Sequence, residues 1–295
     1  NIREYLAKRC GMQEIFTYPW VDEKYIKAAG IPLDSCLEIL GAPSPEMSHI
    51  RNSLVPDMLH SVASNLRYFD EFKIFEVTQV FEKGEYSPSE EAEILPVHKK
   101  ELCFAIVGSE PISLFRQAKG VIESLPRYTN LENIGLEQLE MPAWADKKAW
   151  LNIVFNGKII GSFGILSLKA SLDSGIKLKK LALCTLNIDE LKALPSRTNS
   201  FTALPSFPLV EQDFSMLVDE AVSWATIEET IRKSTKAIKF LEEYKGKQVP
   251  SGKKSISFRV WFGDDTKTLS SQDIEEKMNS VINKLKKRLG AEIRA

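Results

Sequence analysis

Length, composition and charge set the first limits on this chain. Its 295 residues are 43% hydrophobic and 27% charged, which is typical of a soluble globular protein of roughly two domains. No apolar run approaches the ~20 residues of a membrane-spanning helix. The formal net charge of −1 argues against non-specific binding of nucleic acid or membranes by the whole molecule.

The cysteines and the first residue bear on compartment and completeness. The four cysteines form no C-x-x-C pair, a pattern that indicates free thiols in a reducing cytoplasm. We find no signal-peptide pattern. Because the sequence opens with Asn1 rather than Met, we expect it to be a segment of a longer protein.

The N-terminal region begins with short elements and one strong helix. Short helices are expected over 1–9 and 22–29, and a short strand over 37–40. The strong helix follows, with Ser53 as its cap and Pro56 in its first turn. Its apolar face is made of Val55, Met58, Leu59, Val62, Ala63 and Leu66.

The next hundred residues predict an antiparallel sheet. Asn156-Gly157 between two alternating runs is a strong hairpin signal, so the strands 150–155 and 158–166 should pair. Hairpins of this kind indicate the α+β fold class. The other elements expected here are strands over 72–82, 101–107 and 181–188, a polar loop over 83–98, and a helix over 113–125 led by Ser113.

A Ser-, Thr- and Pro-rich stretch separates two predicted domains. It lies within 195–208 and lacks helical periodicity. We therefore expect one domain over 1–197, a linker over 198–207 and a second domain over 208–295. The last part of the chain, 201–295, carries 16 Lys and Arg against 14 Asp and Glu.

The second domain has the element order βαββαβ, a ferredoxin-like arrangement with both helices on one face of the sheet. Thr226 with Glu229 predicts a capping box for its first helix, and Ser270 with Asp273 predicts one for its second. Strand alternation places apolar side chains against those helices, and they are Phe214, Met216, Val218, Ile256, Phe258, Val260 and Phe262.

The same alternation defines the opposite, open face. Arg and Trp on such a face can stack on a base, so the surface suits single-stranded RNA. A solvated sheet face is the alternative interpretation. The residues expected there are Asp213, Ser215, Ser255, Ser257, Arg259, Trp261, Glu292 and Arg294, while the strand over 239–244 leaves Tyr244 unassigned.

Motifs for catalysis are missing from the sequence. The stretch 246–255 imitates a P-loop, but its spacing is wrong and it leads into a strand rather than a helix. Lys253 and Lys254 are better explained as contacts to an RNA backbone, or as a solvated turn. The three histidines have no metal-ligand spacing, and we expect no metal site and no catalytic residue in this segment.

Short motifs along nearly the whole chain resemble the bacterial phenylalanyl-tRNA synthetase beta subunit in its C-terminal part. Each motif is weak alone, and their order and spacing make the resemblance specific. They are Gly11-Met-Gln-Glu-Ile-Phe-Thr-Tyr18, Arg51-Asn-Ser-Leu-Val-Pro56, Phe75-Glu-Val-Thr-Gln-Val-Phe81, Lys119-Gly-Val-Ile-Glu123, Gly161-Ser-Phe-Gly164, Pro205 to Asp213, Tyr244-x-Gly246, Pro250-Ser-Gly-Lys-Lys-Ser255, Thr268-Leu269 and Leu289 to Arg294.

The resemblance implies a class II synthetase-like domain followed by a ferredoxin-fold anticodon-binding domain. In such an enzyme a heterotetramer forms from two alpha and two beta subunits, and alpha carries the ATP- and Mg-dependent aminoacylation. The beta domain is catalytically silent, and neither R-x-E nor G-x-G-x-x-x-R occurs here. No cofactor is expected in this segment, nor the upstream editing site of the family. The helix over 56–66 is either a candidate interface with alpha or simple core packing.

The resemblance also implies roles in binding the anticodon of phenylalanine tRNA. Tyr244 would stack on a base, Ser255 and Asp213 would bond base edges or ribose, and Arg294 would stack or pair with phosphate. The chain departs from the family pattern at Gln212, where an Arg is usual, and at 241–242, where Phe-Asp is usual. The full set of tRNA-binding candidates is Asp213, Tyr244, Lys253, Lys254, Ser255, Arg259, Trp261 and Arg294.

Three functional hypotheses remain at this point. The first is a noncatalytic, cytoplasmic segment of phenylalanine–tRNA ligase that packs against alpha and binds the anticodon. The second is a non-enzymatic RNA-binding or regulatory paralogue of the beta subunit. The third is a small enzyme of the acylphosphatase kind, which shares the βαββαβ order but needs a phosphate-cradling loop that this sequence lacks.

Overall fold

A computed structural model describes residues 2–42, 44–88, 94–132, 134–198, 201 and 204–293, with backbone alone at 85–88 and 94–95. The chain divides into two compact units, Asn1–Asn199 and Ser200–Ala295. Both are α+β, as the sequence predicts.

The described part of the first unit is built on a seven-stranded sheet in the order β1-β5-β6-β10-β9-β8-β7. All its neighbouring pairs are antiparallel except β1 with β5. A small second sheet has the order β2-β4-β3. The strands are β1 Gln13–Glu14, β2 Trp20–Val21, β3 Leu37–Glu38, β4 His49–Ile50, β5 Phe72–Pro88, β6 Ile94–Gly108, β7 Gly135–Glu137, β8 Ala145–Phe155, β9 Lys158–Leu166 and β10 Lys180–Asn187.

Helices cover both faces of the large sheet, because its strands carry apolar side chains on both sides. Phe104 of β6 belongs to the cluster beneath α4, whereas its neighbours Cys103 and Ala105 belong to the cluster beneath α3 and α5. The helices are α1 Ile2–Glu4, continued by a π-helical turn Tyr5–Arg9, then α2 Glu23–Ala28, α3 Val55–Asn65, α4 Pro111–Thr129, α5 Leu168–Ser174 and α6 Ile188–Lys192.

The buried face of α3 agrees with the sequence interpretation, and the cap at its start differs from it. The N-cap position is Leu54 rather than the predicted Ser53. The Ser53 hydroxyl nevertheless accepts a hydrogen bond from the backbone N–H of Val55, the first residue of the helix, at 3.3 Å. The same hydroxyl donates to Glu101 at 3.1 Å, a partner distant in sequence. Met58 and Leu59 are buried in the unit's own core, which favours core packing over an exposed interface for this helix.

A buried charge cluster lies beside α3. Arg51 is 5% exposed and donates from Nη1 to Thr17 Oγ1 at 2.8 Å. The same nitrogen lies 3.4 Å from Asp57 and 3.6 Å from Glu76. Glu76 also accepts from both the backbone N–H and the hydroxyl of Thr17. One guanidinium therefore faces two buried carboxyl groups.

Two sequence predictions in this unit need correction. The polar loop expected over 83–98 is largely strand, since β5 continues to Pro88 and β6 begins at Ile94 after a register shift between Phe81 and Tyr86. Cross-strand hydrogen bonding extends a hairpin whatever its polarity. The helix expected from Ser113 begins at Pro111, which suits the first helical position.

The hairpin prediction at Asn156 is confirmed. Phe155 pairs with Lys158, and Asn156 and Gly157 both have positive φ, 48° and 77°. That conformation fits the type I′ turns that join short hairpins. The short helices α5 and α6 were not predicted, because each has fewer than eight residues and little periodicity.

The second unit has the predicted βαββαβ order, and its described strands form one four-stranded sheet in the order β12-β13-β11-β14. The capping box of α8 is confirmed. The predicted box at Thr226 was wrong, since Ser223 caps α7. The elements are β11 Val210–Asp219, α7 Trp224–Ile231, β12 Ala237–Tyr244, β13 Lys253–Phe262, α8 Ser271–Leu289 and β14 Glu292–Ile293.

Candidate nucleic-acid interface

Side-chain alternation divides the sheet of the second unit into an apolar inner face and a polar outer face. Phe214 of β11 and Phe258 of β13 are cross-strand partners, stacked at 5.5 Å between ring centroids. They pack in one cluster with Ile227 of α7 and with Val281 and Leu285 of α8. The inner assignments made from sequence are therefore confirmed for β11 and β13.

The outer face is defined by the cross-strand register. In the described residues of this unit, both long helices pack on the inner face, so the outer face carries no helix of the unit. Its members are Glu211, Asp213, Ser215, Leu217 and Asp219 of β11, Lys253, Ser255, Ser257, Arg259 and Trp261 of β13, Ala237, Lys239, Glu242 and Tyr244 of β12, and Glu292 of β14.

Tyr244 reaches the outer face because of a bulge in β12. Phe240 pairs with Phe258, but the next pair is Glu242 with Ser257, so Leu241 is an extra residue. A bulge of this kind shifts the alternation by one position. Tyr244 consequently pairs with Ser255 and shares its face. Its side chain is 43% exposed.

The ring of Tyr244 lies over Gly246. A Cβ added at that glycine would come within 2.6 Å of the tyrosine Cζ, a distance that side chains do not tolerate. The Tyr244-x-Gly246 motif thus has a steric basis, because the absence of a side chain at the second position allows the ring to occupy its place.

Three hydroxyl groups form the centre of the outer face. Ser215 Oγ lies 3.4 Å from Ser257 Oγ and 3.5 Å from Ser255 Oγ. Both distances are long for bonds between hydroxyl groups, so these groups keep capacity for another partner. Ser255 is only 3% exposed, whereas Ser215 and Ser257 are half-buried.

Arg259 is held by acidic residues of β11. Its Nε and Nη2 donate to the two oxygens of Asp213 at 2.6 and 2.8 Å, and Nη1 approaches Glu211 at 3.3 Å. The hydrogen bond from Arg259 lowers the pKa of Asp213, and the same bond raises the pKa of Arg259. This guanidinium is neutralised by bidentate pairing.

The two predicted lysines are also paired with carboxylates. Lys253 lies 2.5 Å from Glu292 of β14, and Lys254 lies 3.0 Å from Glu243 of β12. Lys254 is 7% exposed, and the side-chain alternation of β13 places it on the inner face, opposite Val218. Neither side chain is positioned as a free phosphate contact in this conformation.

The remaining predicted site residues have different outcomes. Trp261 lies on the outer face, half-buried, opposite Ala237 and Glu211. Arg294 lies outside the described residues. The outer face thus brings together Asp213, Tyr244, Ser255, Arg259 and Trp261. Sequence reasoning missed Glu211 as a partner of Arg259, although its i−2 spacing from Asp213 already placed both on one face.

The family models match almost the whole chain. Residues 1–188 match the phenylalanyl tRNA synthetase beta chain CLM domain, and residues 205–294 match the ferredoxin-fold anticodon binding domain. The structure of Desulfitobacterium hafniense PylSc, a pyrrolysyl tRNA synthetase, superposes with a TM-score of 0.50 at 14% identity, over 65% of this chain and 66% of that one. That likeness shows a shared fold alone.

These findings define an aminoacyl-tRNA synthetase component with an anticodon-binding domain. More specifically, the chain belongs to the phenylalanyl-tRNA synthetase beta chain family. It is 29% identical to the phenylalanine–tRNA ligase beta subunit of Clostridium acetobutylicum over 96% of its length, and 27% identical to that of Bacillus subtilis over 97%. It spans 36% of the length of either relative.

No helix in the described part of the chain is long and apolar enough to cross a bilayer. No group of three or more His, Cys, Asp or Glu side chains in the same residues is arranged to hold a metal ion.

Proposed function

We propose that this chain is a noncatalytic part of a phenylalanine–tRNA ligase beta subunit, and that the outer face of its second unit binds the anticodon of phenylalanine tRNA. The observation that carries the proposal is the placement of Tyr244, beside the serine hydroxyls, on a helix-free face of the unit that matches the anticodon-binding family.

The chemistry of the outer face suits bases more than phosphates. Tyr244 and Trp261 offer aromatic surface for stacking, which tolerates any base. The hydroxyl of Ser257 and the carboxylate of Asp213 can exchange hydrogen bonds with base edges or ribose. Ser255 is nearly buried, and its hydroxyl lies 3.5 Å from that of Ser215. Arg294 remains a candidate for a phosphate contact. Arg259 is paired, so among the described residues of this face Lys239 is the cation without an ion pair.

The first unit has exposed aromatic surface that supports a subunit contact. Phe16 is 80% and Tyr18 70% exposed, and Tyr18 stacks on Trp20 with ring centroids 4.7 Å apart. Leu40 is 98% exposed. Exposed apolar side chains of this size are typical of protein interfaces. We propose that the segment with Phe16 and Tyr18, rather than α3, packs against the alpha subunit in a heterotetramer of two alpha and two beta subunits.

Catalysis is assigned to the alpha subunit in this proposal. The sequence lacks the arginine patterns that hold ATP phosphates in class II enzymes, and Arg51 is buried among carboxyl groups rather than open to a ligand. ATP and Mg would therefore act on the partner subunit, and this chain would contribute tRNA positioning.

Binding to an isolated anticodon stem-loop tests the proposal. The chain should bind the stem-loop of phenylalanine tRNA more tightly than an unrelated stem-loop of equal length, measured by fluorescence anisotropy. Tyr244→Ala should weaken the specific complex by about 1–3 kcal/mol, and Tyr244→Phe, which keeps the ring, should retain most of the affinity. Tyr18→Ala removes an exposed tyrosine of the first unit and serves as the matched control.

Equal affinity for both stem-loops would contradict the proposal. Co-purification with an alpha subunit separates the ligase component from the regulatory paralogue. Changing Phe16 and Tyr18 together to Ser should abolish that association if these exposed rings form the contact, while leaving stem-loop binding intact. A chain that binds RNA but never associates with alpha would favour the paralogue.

A further inference from the structure

A cavity of about 490 Å³ in the first unit is lined by an excess of positive charge. It lies between α2, the end of α3 and the loop that joins α5 to β10. Lys24, Arg67, Lys177 and Lys179 line it together with a single carboxylate, Asp70. Asp70 pairs with Lys179 at 3.0 Å.

The other three cations keep their charge unneutralised. Within the described part of the chain, Lys24, Arg67 and Lys177 have no carboxylate oxygen within the 4.0 Å limit of an ion pair. This contrasts with the outer face, where Arg259 and Lys253 are both paired. Like charges gathered around one cavity repel each other, and an anion bound there would relieve that repulsion.

Two aromatic rings line the same cavity. Tyr25 and His60 are stacked with centroids 4.9 Å apart and an interplanar angle of 26°. Tyr25 is buried and His60 is exposed, so the imidazole ring is backed by Tyr25 and keeps solvent-accessible surface. Lys24 Nζ lies 5.0 Å from the Tyr25 ring centroid, a cation–π distance that orients the ammonium group.

We propose that this cavity binds a nucleotide phosphate, held by Arg67, Lys177 and Lys24, with the attached base stacked on His60. A guanidinium offers paired donors that match phosphate oxygens, and the lysines add point charges. An imidazole ring is a suitable stacking surface for a base. The nucleotide is either free or part of an RNA strand, and this proposal does not depend on anticodon binding by the second unit.

Calorimetric titration at low ionic strength tests the phosphate site. Inorganic pyrophosphate is the simplest probe, and the double variant Arg67→Ala with Lys177→Ala should weaken its binding at least tenfold. The matched control is Arg127→Ala with Lys147→Ala, which removes the same two residue types from exposed positions outside the cavity and should change the affinity less than twofold. No binding by the unaltered chain, or equal losses in both double variants, overturns the proposal.

Two further probes distinguish a free nucleotide from a nucleotide within an RNA strand, and they test whether the base stacks on His60. ATP that binds more tightly than pyrophosphate, by a margin that His60→Ala removes, identifies a free nucleotide. An RNA hairpin with no anticodon sequence that binds only when Arg67 and Lys177 are intact, and whose affinity falls in His60→Ala, identifies an RNA strand. If His60→Ala changes the binding of neither probe, the stacking role is wrong.

Discussion

Arg259 and Asp213 form a two-bond clamp across neighbouring strands, with donor–acceptor distances of 2.6 and 2.8 Å. They are direct cross-strand partners, so the clamp joins β11 and β13 on the outer face, beside the pair Ser215 and Ser257. It also occupies the guanidinium of Arg259, which is therefore not free to pair with a phosphate.

Releasing the clamp should change how RNA binding depends on salt. Asp213→Asn removes the two shortest bonds to Arg259 and leaves only the 3.3 Å contact with Glu211, so the guanidinium can turn to a phosphate. Affinity for unrelated RNA should then rise, and the slope of log K against log salt should steepen by up to about 0.7, the value for one added phosphate contact on a single strand. Filter binding over a salt series measures both. The matched control is Glu228→Gln, which releases Arg232, the residue after α7, from an ion pair away from the outer face. Parallel slopes for all three chains would contradict the assignment.

A methyl group at Gly246 should act through Tyr244. Gly246→Ala places a carbon where the tyrosine ring lies, so the ring must move and stem-loop affinity should fall towards that of Tyr244→Ala. The thermal midpoint should change little, since Gly246 is exposed. Gly84→Ala, which meets no atom within 4 Å, is the control. Undiminished binding by Gly246→Ala would show that the ring position is not needed.

Stability of the first unit should depend on pH through Asp57. Burial raises the pKa of Asp57 from 3.8 to about 7, against the opposing effect of Arg51. A carboxyl group with a raised pKa binds more protons when folded, so its stabilising contribution is complete below about pH 4 and is lost as pH rises through about 7. The shift corresponds to at most about 4 kcal/mol.

Urea unfolding at pH 5 and pH 8 measures this contribution. The native chain should lose more free energy of unfolding over that interval than Asp57→Asn, whose amide cannot ionise. Asp34→Asn changes an exposed carboxylate and should reproduce the native pH dependence. Identical pH profiles for the native chain and Asp57→Asn would exclude Asp57 as the titrating group.

Two glycines of the first unit should respond oppositely to alanine. A Cβ at Gly164 would lie 2.6 Å from the Ala149 carbonyl oxygen and 2.9 Å from the Trp150 Cβ, so Gly164→Ala should destabilise by about 1–3 kcal/mol through overpacking. Gly120 lies within α4 with open space around it, so Gly120→Ala should stabilise by about 0.5–1 kcal/mol. Chemical denaturation of both variants measures the change in the free energy of unfolding, which should have opposite signs in the two.

The sequence predicted those features that follow from local periodicity. The inner face of β11 and β13, the Asn156-Gly157 hairpin and the capping box at Ser270 all depend on spacing within one segment. The alternation of side chains along each strand placed Asp213 and Arg259 on the same face of the sheet. It could not predict that they are bonded, because cross-strand register is set by packing between distant segments.

Features that depend on tertiary contacts escaped prediction. Tyr244 could not be assigned because the extra residue Leu241 has no distinctive sequence pattern. The strand ends at Pro88 and Ile94 were interpreted as loop because polar residues obscure hairpin pairing. The cationic cavity joins residues from positions 24, 67 and 177, which no local motif connects.

The bulge at Leu241 has a consequence for self-association. β12 lies at an end of the sheet order, and nearly all its residues are exposed. A flat, regular edge strand can pair with a strand of another molecule. The bulge in β12, together with charged residues such as Glu242 and Lys239, disfavours such pairing. We therefore expect the irregularity that turns Tyr244 towards the outer face also to disfavour edge-to-edge pairing of this domain.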